Sequence, residues 1–232
     1  MQKNRGLALG AALLVLWGLH HMPYRGVMLY PLMLFDTLMH EMGHGLTALL
    51  VGGQLHRLDL FSDGSGLAHT ATSGGWKTAL VAAGGLLGPP FMAAFAFGAA
   101  QTPRGARAWL VGMSLFILAT LAFFVRGGMA WPFLLVIGLV LLVLGLKGNT
   151  AVTQVSTLVV ACELSVLTYS RSDYLFMPSA TVNGVIHTSD VGLIARALHL
   201  PYWLWGICLG LLSALLILWE IRSFLRATRQ LQ

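Results

Sequence analysis

The sequence predicts an all-α polytopic membrane protein of about six transmembrane helices with one short β-hairpin at the membrane interface. Of its 232 residues, 57% are hydrophobic and only 9% are charged, whereas soluble domains carry about 25% charged residues. A chain this poor in charge cannot cover a water-facing surface, so most of its exterior must face lipid. Apolar runs long enough to cross a bilayer recur along the chain, and one polar stretch between them has the alternation of a hairpin.

The net charge of +6 does not indicate a nucleic-acid partner. Basic residues are scattered among short loops and the two ends of the chain, where they include Lys3, Arg5, Arg222, Arg226 and Arg229. That placement is typical of contacts with the anionic headgroups of a lipid bilayer, not of a phosphate-binding stripe. Because positive charge accumulates on the inner side of a membrane, we expect both termini to face the cytoplasm. The short, compact chain suits a bacterial plasma membrane.

Six apolar runs are interpreted as membrane spans. They cover residues 7–17, 27–51, 78–100, 108–125, 129–146 and 201–221. Residues 150–169 are only moderately apolar, and three arrangements are open to them: they span, lie re-entrant or pack inside the bundle. Termini on one side require an even number of crossings, so six crossings result if this segment does not fully traverse. With no internal repeat and no low-complexity linker, residues 1–232 are interpreted as one domain.

Residues 54–73 are the polar stretch. Short alternating segments flank the run Asp63-Gly64-Ser65-Gly66, and an Asp-Gly turn between such segments predicts a β-hairpin. In a membrane protein the unpaired edges of a hairpin must find partners, so we expect this hairpin at the interface or in a cavity.

The run His40-Glu41-Met42-Gly43-His44 matches the pattern His-Glu-x-x-His. Residues four apart lie on one face of a helix, so both imidazoles can bind one metal ion. Glu41 follows the first ligand and lies beside the open position of the metal, where it can act as general base on a bound water. Polar residues at bilayer depth are costly and usually mark function. The alternative is a set of polar side chains satisfied by neighbouring helices.

Asp36 lies four residues before His40 and therefore on the same helix face. It can accept a hydrogen bond from the ring nitrogen of His40 that does not bind the metal, which would fix the tautomer of that ring. A carboxylate that serves only helix packing is the alternative interpretation.

The motif and four weaker features together resemble the peptidase M50 family of site-2-protease-like intramembrane zinc metalloproteases, in its M50B-like branch. The weaker features are Gly52-Gly53 after the helix, Asp63-Gly64-Ser65-Gly66 in the hairpin, the run at residues 83–89, and Ser189-Asp190 before a short helix. The resemblance implies Zn²⁺ as cofactor and a membrane protein or peptide as substrate. In related proteases an edge strand holds an extended substrate, so the hairpin residues Asp63, Gly64, Ser65 and Gly66 are expected to position it. A hairpin that is only a connector is the alternative.

The third metal ligand is open, because the chain lacks the Asn-Pro-Asp-Gly-like motif whose Asp completes the site in well-studied site-2 proteases. Asp190 is the leading candidate, since it matches the Ser-Asp of the M50B-like branch. His187, Asp173 and Glu163 are the alternatives, and the Ser189-Asp190 pair can also be read as a helix cap.

Two functions follow from these residues. The first is an intramembrane zinc metalloprotease that hydrolyses a peptide bond of a membrane-embedded or juxtamembrane substrate, with Glu41 as general base. The second is a non-catalytic membrane scaffold or binding protein that retains an M50-like metal site. Glu41 favours the first, since a scaffold does not need a carboxylate beside the two histidines.

Overall fold

The computed structural model describes residues 3–126, 128–170 and 172–226. Its long helices are α1 (Lys3–His21), α2 (Arg25–Leu50), α3 (Trp76–Ala99), α4 (Pro103–Phe123), α5 (Ala130–Lys147), α6 (Thr150–Ser170) and α8 (Tyr202–Arg226), with the shorter α7 (Asp190–Leu198) before the last. A 3-10 helix, Ser172–Phe176, follows α6. Helices therefore make up most of the chain, and the predicted all-α class is confirmed.

Within the described residues, five helices are long and apolar enough to cross a membrane: α3, α4, α5, α6 and α8. Residues 150–169, for which the sequence left three arrangements open, form the continuous helix α6, which meets this criterion. Helices α1 and α2 form over the first two predicted spans but do not meet it. In α2, the polar side chains of the His-Glu-x-x-His run interrupt an otherwise apolar sequence and so lower the mean hydropathy of the helix. That six segments cross the membrane stays a prediction.

The predicted hairpin is confirmed as β1 (Gln54–Leu60) and β2 (Gly66–Ala71), which pair antiparallel. The two-residue strand β3 (Val125–Arg126), at the end of α4, adds to β1 in parallel, so the sheet order is β2-β1-β3. The prediction of a single hairpin is wrong. Strands β4 (Ser179–Val182) and β5 (Val185–Thr188) form a second hairpin just before α7.

The turn of the second hairpin has two residues, Asn183 and Gly184, with φ values of 48° and 77°. Positive φ at both positions is the geometry of a type I′ turn, for which Asn-Gly is a preferred sequence. This dipeptide therefore determines the hairpin locally.

Helix α3 lies at the centre of the fold and packs against α2, α6, α7 and α8. Its contact with α2 is made by main chain as well as side chains. A Cβ atom at Gly43 would lie only 2.9 Å from the carbonyl carbon of Gly84 and 3.1 Å from the Cα of Gly85. Small residues allow helices in membranes to approach this closely. The α2–α3 pair is the frame on which the polar residues of α2 are held.

Candidate metal centre and its cleft

The two histidines of the motif lie together at the buried face of α2. Their Nε2 atoms are 3.2 Å apart, as expected for residues four apart on a helix that point to one position. Asp190 completes the group: its Oδ2 is 3.1 Å from the Nε2 of His40, and its Oδ1 is 3.3 Å from the Nε2 of His44. All three ligand atoms lie within 4.8 Å of one another, the geometry of a group that could hold one metal ion.

Asp190 reaches this position because it is the first residue of α7. The helix cap is its neighbour Ser189, whose Oγ accepts a hydrogen bond from the N–H of Gly192 at 3.1 Å. The same hydroxyl donates to the carbonyl oxygen of Met177 and ties the start of α7 to the segment before β4. With capping carried out by Ser189, the Asp190 carboxylate is directed to the histidines.

The orientation of the His44 ring is fixed by α3. Its Nδ1 donates to the carbonyl oxygen of Val81 at 2.8 Å, so Nε2 is the atom that faces His40 and Asp190 and that could bind a metal ion. Gly85 leaves the room that this ring occupies. A Cβ atom there would lie 2.6 Å from Nδ1 and closer still to the far edge of the ring.

Tyr174, in the 3-10 helix, is a site residue that the sequence did not indicate. Its hydroxyl is 3.3 Å from the Oδ2 of Asp190, and its ring meets that of His40 edge to face, with centroids 6.3 Å apart. Burial and the negative charge of Asp190 raise the pKa of the tyrosine above its ordinary value, so the hydroxyl stays protonated and is the donor. No sequence pattern links it to a residue 16 positions away.

The Asp190 carboxyl is ionised, the state in which a carboxylate binds metal ions. Its burial alone would raise its pKa, but the charge of His44 and the hydrogen bonds from both histidines lower that pKa by more.

Glu41 is buried, with 4% of its surface exposed, and packs against β2. A Cβ atom at Gly66 would lie 2.7 Å from the Cγ of Glu41 and 2.8 Å from its Oε1, so only glycine fits there. The backbone N–H of Ala68 faces the same carboxyl. Glu41 thus lies between the group of His40, His44 and Asp190 and the edge of the hairpin.

The tip of the first hairpin is held near the site by its polar atoms. Asp63 accepts hydrogen bonds from the N–H and the hydroxyl of Ser65 at 2.9 and 2.6 Å. These bonds hold the pKa of the Asp63 carboxyl below its usual range. The carbonyl of Gly64 accepts a 2.7 Å bond from the hydroxyl of Thr37 on α2. Gly64 and Gly66, two of the four residues expected to position a substrate, therefore lie against the helix that carries the motif.

Two cavities meet at this point and together form one cleft. One has a volume of about 340 Å³ and the other about 570 Å³. Both are lined by His40, Glu41 and Tyr174, and both touch Gly66 of β2 and Ala180 of β4. The cleft therefore runs between the two hairpins with the motif at its base.

The other candidate residues take three different positions. Asp173 lines the smaller cavity and His187 the larger one, but neither belongs to the group of possible metal ligands found among the described residues. Glu163 lies elsewhere, buried between α1 and α6, with its Oε2 3.1 Å from the Nε2 of His20. Asp36 is buried and lines the smaller cavity beside His40. Its hydrogen bond to His40 stays a prediction.

Comparison with known proteins identifies the family. The family model described as Peptidase M50B-like matches residues 7–220, a range that includes His40, His44 and Asp190. No curated protein and no solved structure matches the chain. Together with the five apolar helices, the match leads to one conclusion: the chain is an integral membrane protein that belongs to the Peptidase M50B-like family.

Proposed function

We propose that this chain is a zinc metallopeptidase that hydrolyses a peptide bond of a membrane-embedded or juxtamembrane substrate, with Glu41 as general base. One observation carries the proposal. Two imidazole nitrogens and a carboxylate converge within 4.8 Å at the base of a cleft, and a second, buried carboxylate lines the same cleft. A metal-binding scaffold needs only the first of these features, whereas hydrolysis needs both.

The donor set fits zinc. Catalytic zinc sites have three protein ligands, often two histidines and one carboxylate, and leave a fourth position open. His40, His44 and Asp190 would hold the ion through the atoms that already face one another. The bond from His44 to the carbonyl of Val81 is the kind of outer contact that orients such ligands. When bound, Zn²⁺ supplies Lewis-acid activation of water at neutral pH.

Glu41 moves the proton. Its carboxylate accepts a proton from the attacking water and then donates that proton to the amine of the leaving peptide. Packing against Gly66 keeps the carboxylate in one place, and the donor hydroxyl of Tyr174 holds Asp190 at the other side of the site.

The open edge of β2 would hold the substrate. The N–H of Leu58 donates to the carbonyl of Phe124 at 2.9 Å, so Leu58 directs its backbone groups away from β2. Leu58 and its antiparallel partner Ala68 are therefore a non-hydrogen-bonded (wide) pair, in which each residue directs its N–H and C=O away from the other strand. Ala68, whose N–H faces the Glu41 carboxyl, and by the two-residue period Gly66 and Thr70 therefore direct their backbone groups toward the cleft. An extended peptide could bind them as an added strand.

The test uses three variants of the full chain in lipid nanodiscs. Wild type should hold one zinc per chain and cleave a reporter membrane protein. Glu41→Gln should keep the zinc and lose cleavage, whereas Asp190→Asn should lose both. Asp173→Asn is the matched control, because Asp173 lines the cleft without belonging to the metal-binding group. Equal cleavage by wild type and Glu41→Gln would reject the peptidase and leave the non-catalytic scaffold.

We also propose, from the basic residues near both ends, that both termini lie on the cytoplasmic side of a bacterial plasma membrane. Reporter fusions at the two ends that give opposite topologies would reject this orientation.

A further inference from the structure

We propose that the second hairpin, β4–β5, forms the opposite wall of the substrate site. An extended peptide would then lie between β2 and β4 as a strand bonded on both sides. This inference rests on the proposed peptidase function and adds a second binding edge to it.

The first support is that β4 presents its edge to the cleft, not one of its faces. Three consecutive residues, Ala180, Thr181 and Val182, line the smaller cavity. Because successive residues of a strand point to opposite faces, a face would contribute only every second residue. On the other side of the cleft, Gly66, Leu67 and Ala68 of β2 line the larger cavity in the same consecutive way. Two strand edges therefore face one space.

The second support is the direction in which the backbone N–H and C=O groups of β4 point. In a hairpin with a two-residue I′ turn, the pair that flanks the turn is hydrogen-bonded, so Val182 and Val185 form a narrow pair. The next pair, Thr181 with Ile186, is then wide. Thr181 therefore directs its N–H and C=O away from β5 and toward the cavity that it lines. Among the described residues, sheet pairing gives β4 no partner except β5.

The third support is that the two hairpins touch at their tips. The N–H of Asn183, in the turn of the second hairpin, donates to the hydroxyl oxygen of Ser65 at 3.3 Å. This contact closes one end of the cleft, and the walls extend from it past Glu41 toward Thr72. The tip of the first hairpin, which the sequence indicated for substrate positioning, thus also anchors the second.

The chemistry of the walls indicates the class of peptide. The strand residues that line both walls beside the motif are small or uncharged: Gly66, Leu67, Ala68, Ala180, Thr181 and Val182. Main-chain hydrogen bonds would supply the affinity without demanding a particular sequence. We therefore expect an unwound, largely apolar segment of a polypeptide in the cleft.

Proline substitution on each edge of the second hairpin provides a matched test. Thr181→Pro removes the N–H directed at the cleft, whereas Ile186→Pro removes the N–H of the same wide pair on the far edge, so both spare the bonds between β4 and β5. Binding is measured in the Glu41→Gln background with a fluorescein-labelled decapeptide of Ala, Val and Thr. We expect Thr181→Pro to weaken binding about fivefold, or about 1 kcal/mol, and Ile186→Pro to leave it unchanged. Both variants should keep their zinc. Equal affinities of the two variants for the peptide would overturn the proposal that β4–β5 forms the second wall.

Photo-crosslinking from the centre of the same peptide gives an independent readout that needs no proline variant. Adducts on both residues 66–70 and residues 179–182 would support the inference. Adducts on residues 66–70 alone would overturn it and leave the peptidase proposal intact. Adducts on neither strand would overturn both the second wall and the β2 edge as the substrate site.

Discussion

Replacing Gly85 by alanine should remove zinc without unfolding the protein. A Cβ atom at this position would lie 2.6 Å from the Nδ1 of His44, whereas ordinary contacts begin at 3.4 Å. The ring must therefore move by at least the difference, 3.4 − 2.6, or about 0.8 Å. Zinc–ligand distances tolerate only about 0.2 Å. Since the loss of an outer contact alone costs about 10–100-fold in metal affinity, displacing the ligand itself should cost about 100-fold or more.

The assay is competition for zinc between the purified protein and a chelator of known affinity, followed by metal analysis. Gly112→Ala is the matched control. Gly112 also lies within a helix, α4, but a Cβ atom there meets nothing within 4 Å, so this variant should bind zinc as wild type does. Suppose instead that Gly85→Ala binds zinc as tightly as wild type and is as thermally stable as Gly112→Ala. That result would refute the reasoning that His44 binds zinc in the position that Gly85 leaves open.

Three further substitutions have distinct expected results. Gly66→Ala would place a Cβ 2.8 Å from the Oε1 of Glu41 and displace that carboxylate. We expect turnover to fall about 100-fold, the contribution of a positioned base, whereas metal analysis should find the same zinc content as in wild type. Tyr174→Phe removes the hydroxyl that donates to Asp190 and should weaken zinc binding about 10-fold in the chelator assay; wild-type affinity would refute this positioning role. His20→Ala leaves the buried carboxylate of Glu163 on α6 without its 3.1 Å partner, so the free energy of unfolding should fall by about 1–3 kcal/mol. Denaturation curves in detergent measure this change, and an unchanged midpoint would contradict the expectation.

Local patterns predicted two of the three side chains that could hold a metal ion, His40 and His44. His40, Glu41 and His44 lie within one turn of a helix, and the helical period alone determines that the two imidazoles meet. Asp190 is far along the chain, and periodicity carries no information about which distant helix comes to face α2. Resemblance to a family, not spacing, made it the leading candidate.

Parts of the frame depend on contacts between distant segments. The donor hydroxyl of Tyr174 and the acceptor carbonyl of Val81 act through tertiary packing, for which a single sequence has no signal. The second hairpin is a different case. Asn183-Gly184 between short strand-like segments is a strong hairpin signal, so this hairpin, unlike Tyr174 and Val81, has a local signature in the sequence. The two-residue strand β3 has no such signal, because its parallel pairing with β1 depends on where the end of α4 lies in the fold.

The close approach of α2 and α3 also sets the rotation of the motif about its own helix axis. Successive residues of a helix are about 100° apart around the axis, so even a small roll of α2 would sweep the imidazoles past Asp190. Such a roll is blocked where the backbone of Gly43 lies against that of Gly84, and again where a Cβ at Gly88 would lie 3.3 Å from the carbonyl carbon of Met39. Side chains between two helices can change rotamer and absorb a roll, whereas main chain against main chain cannot. The angular precision of the metal ligands is thus determined by glycines that touch neither ligand nor substrate.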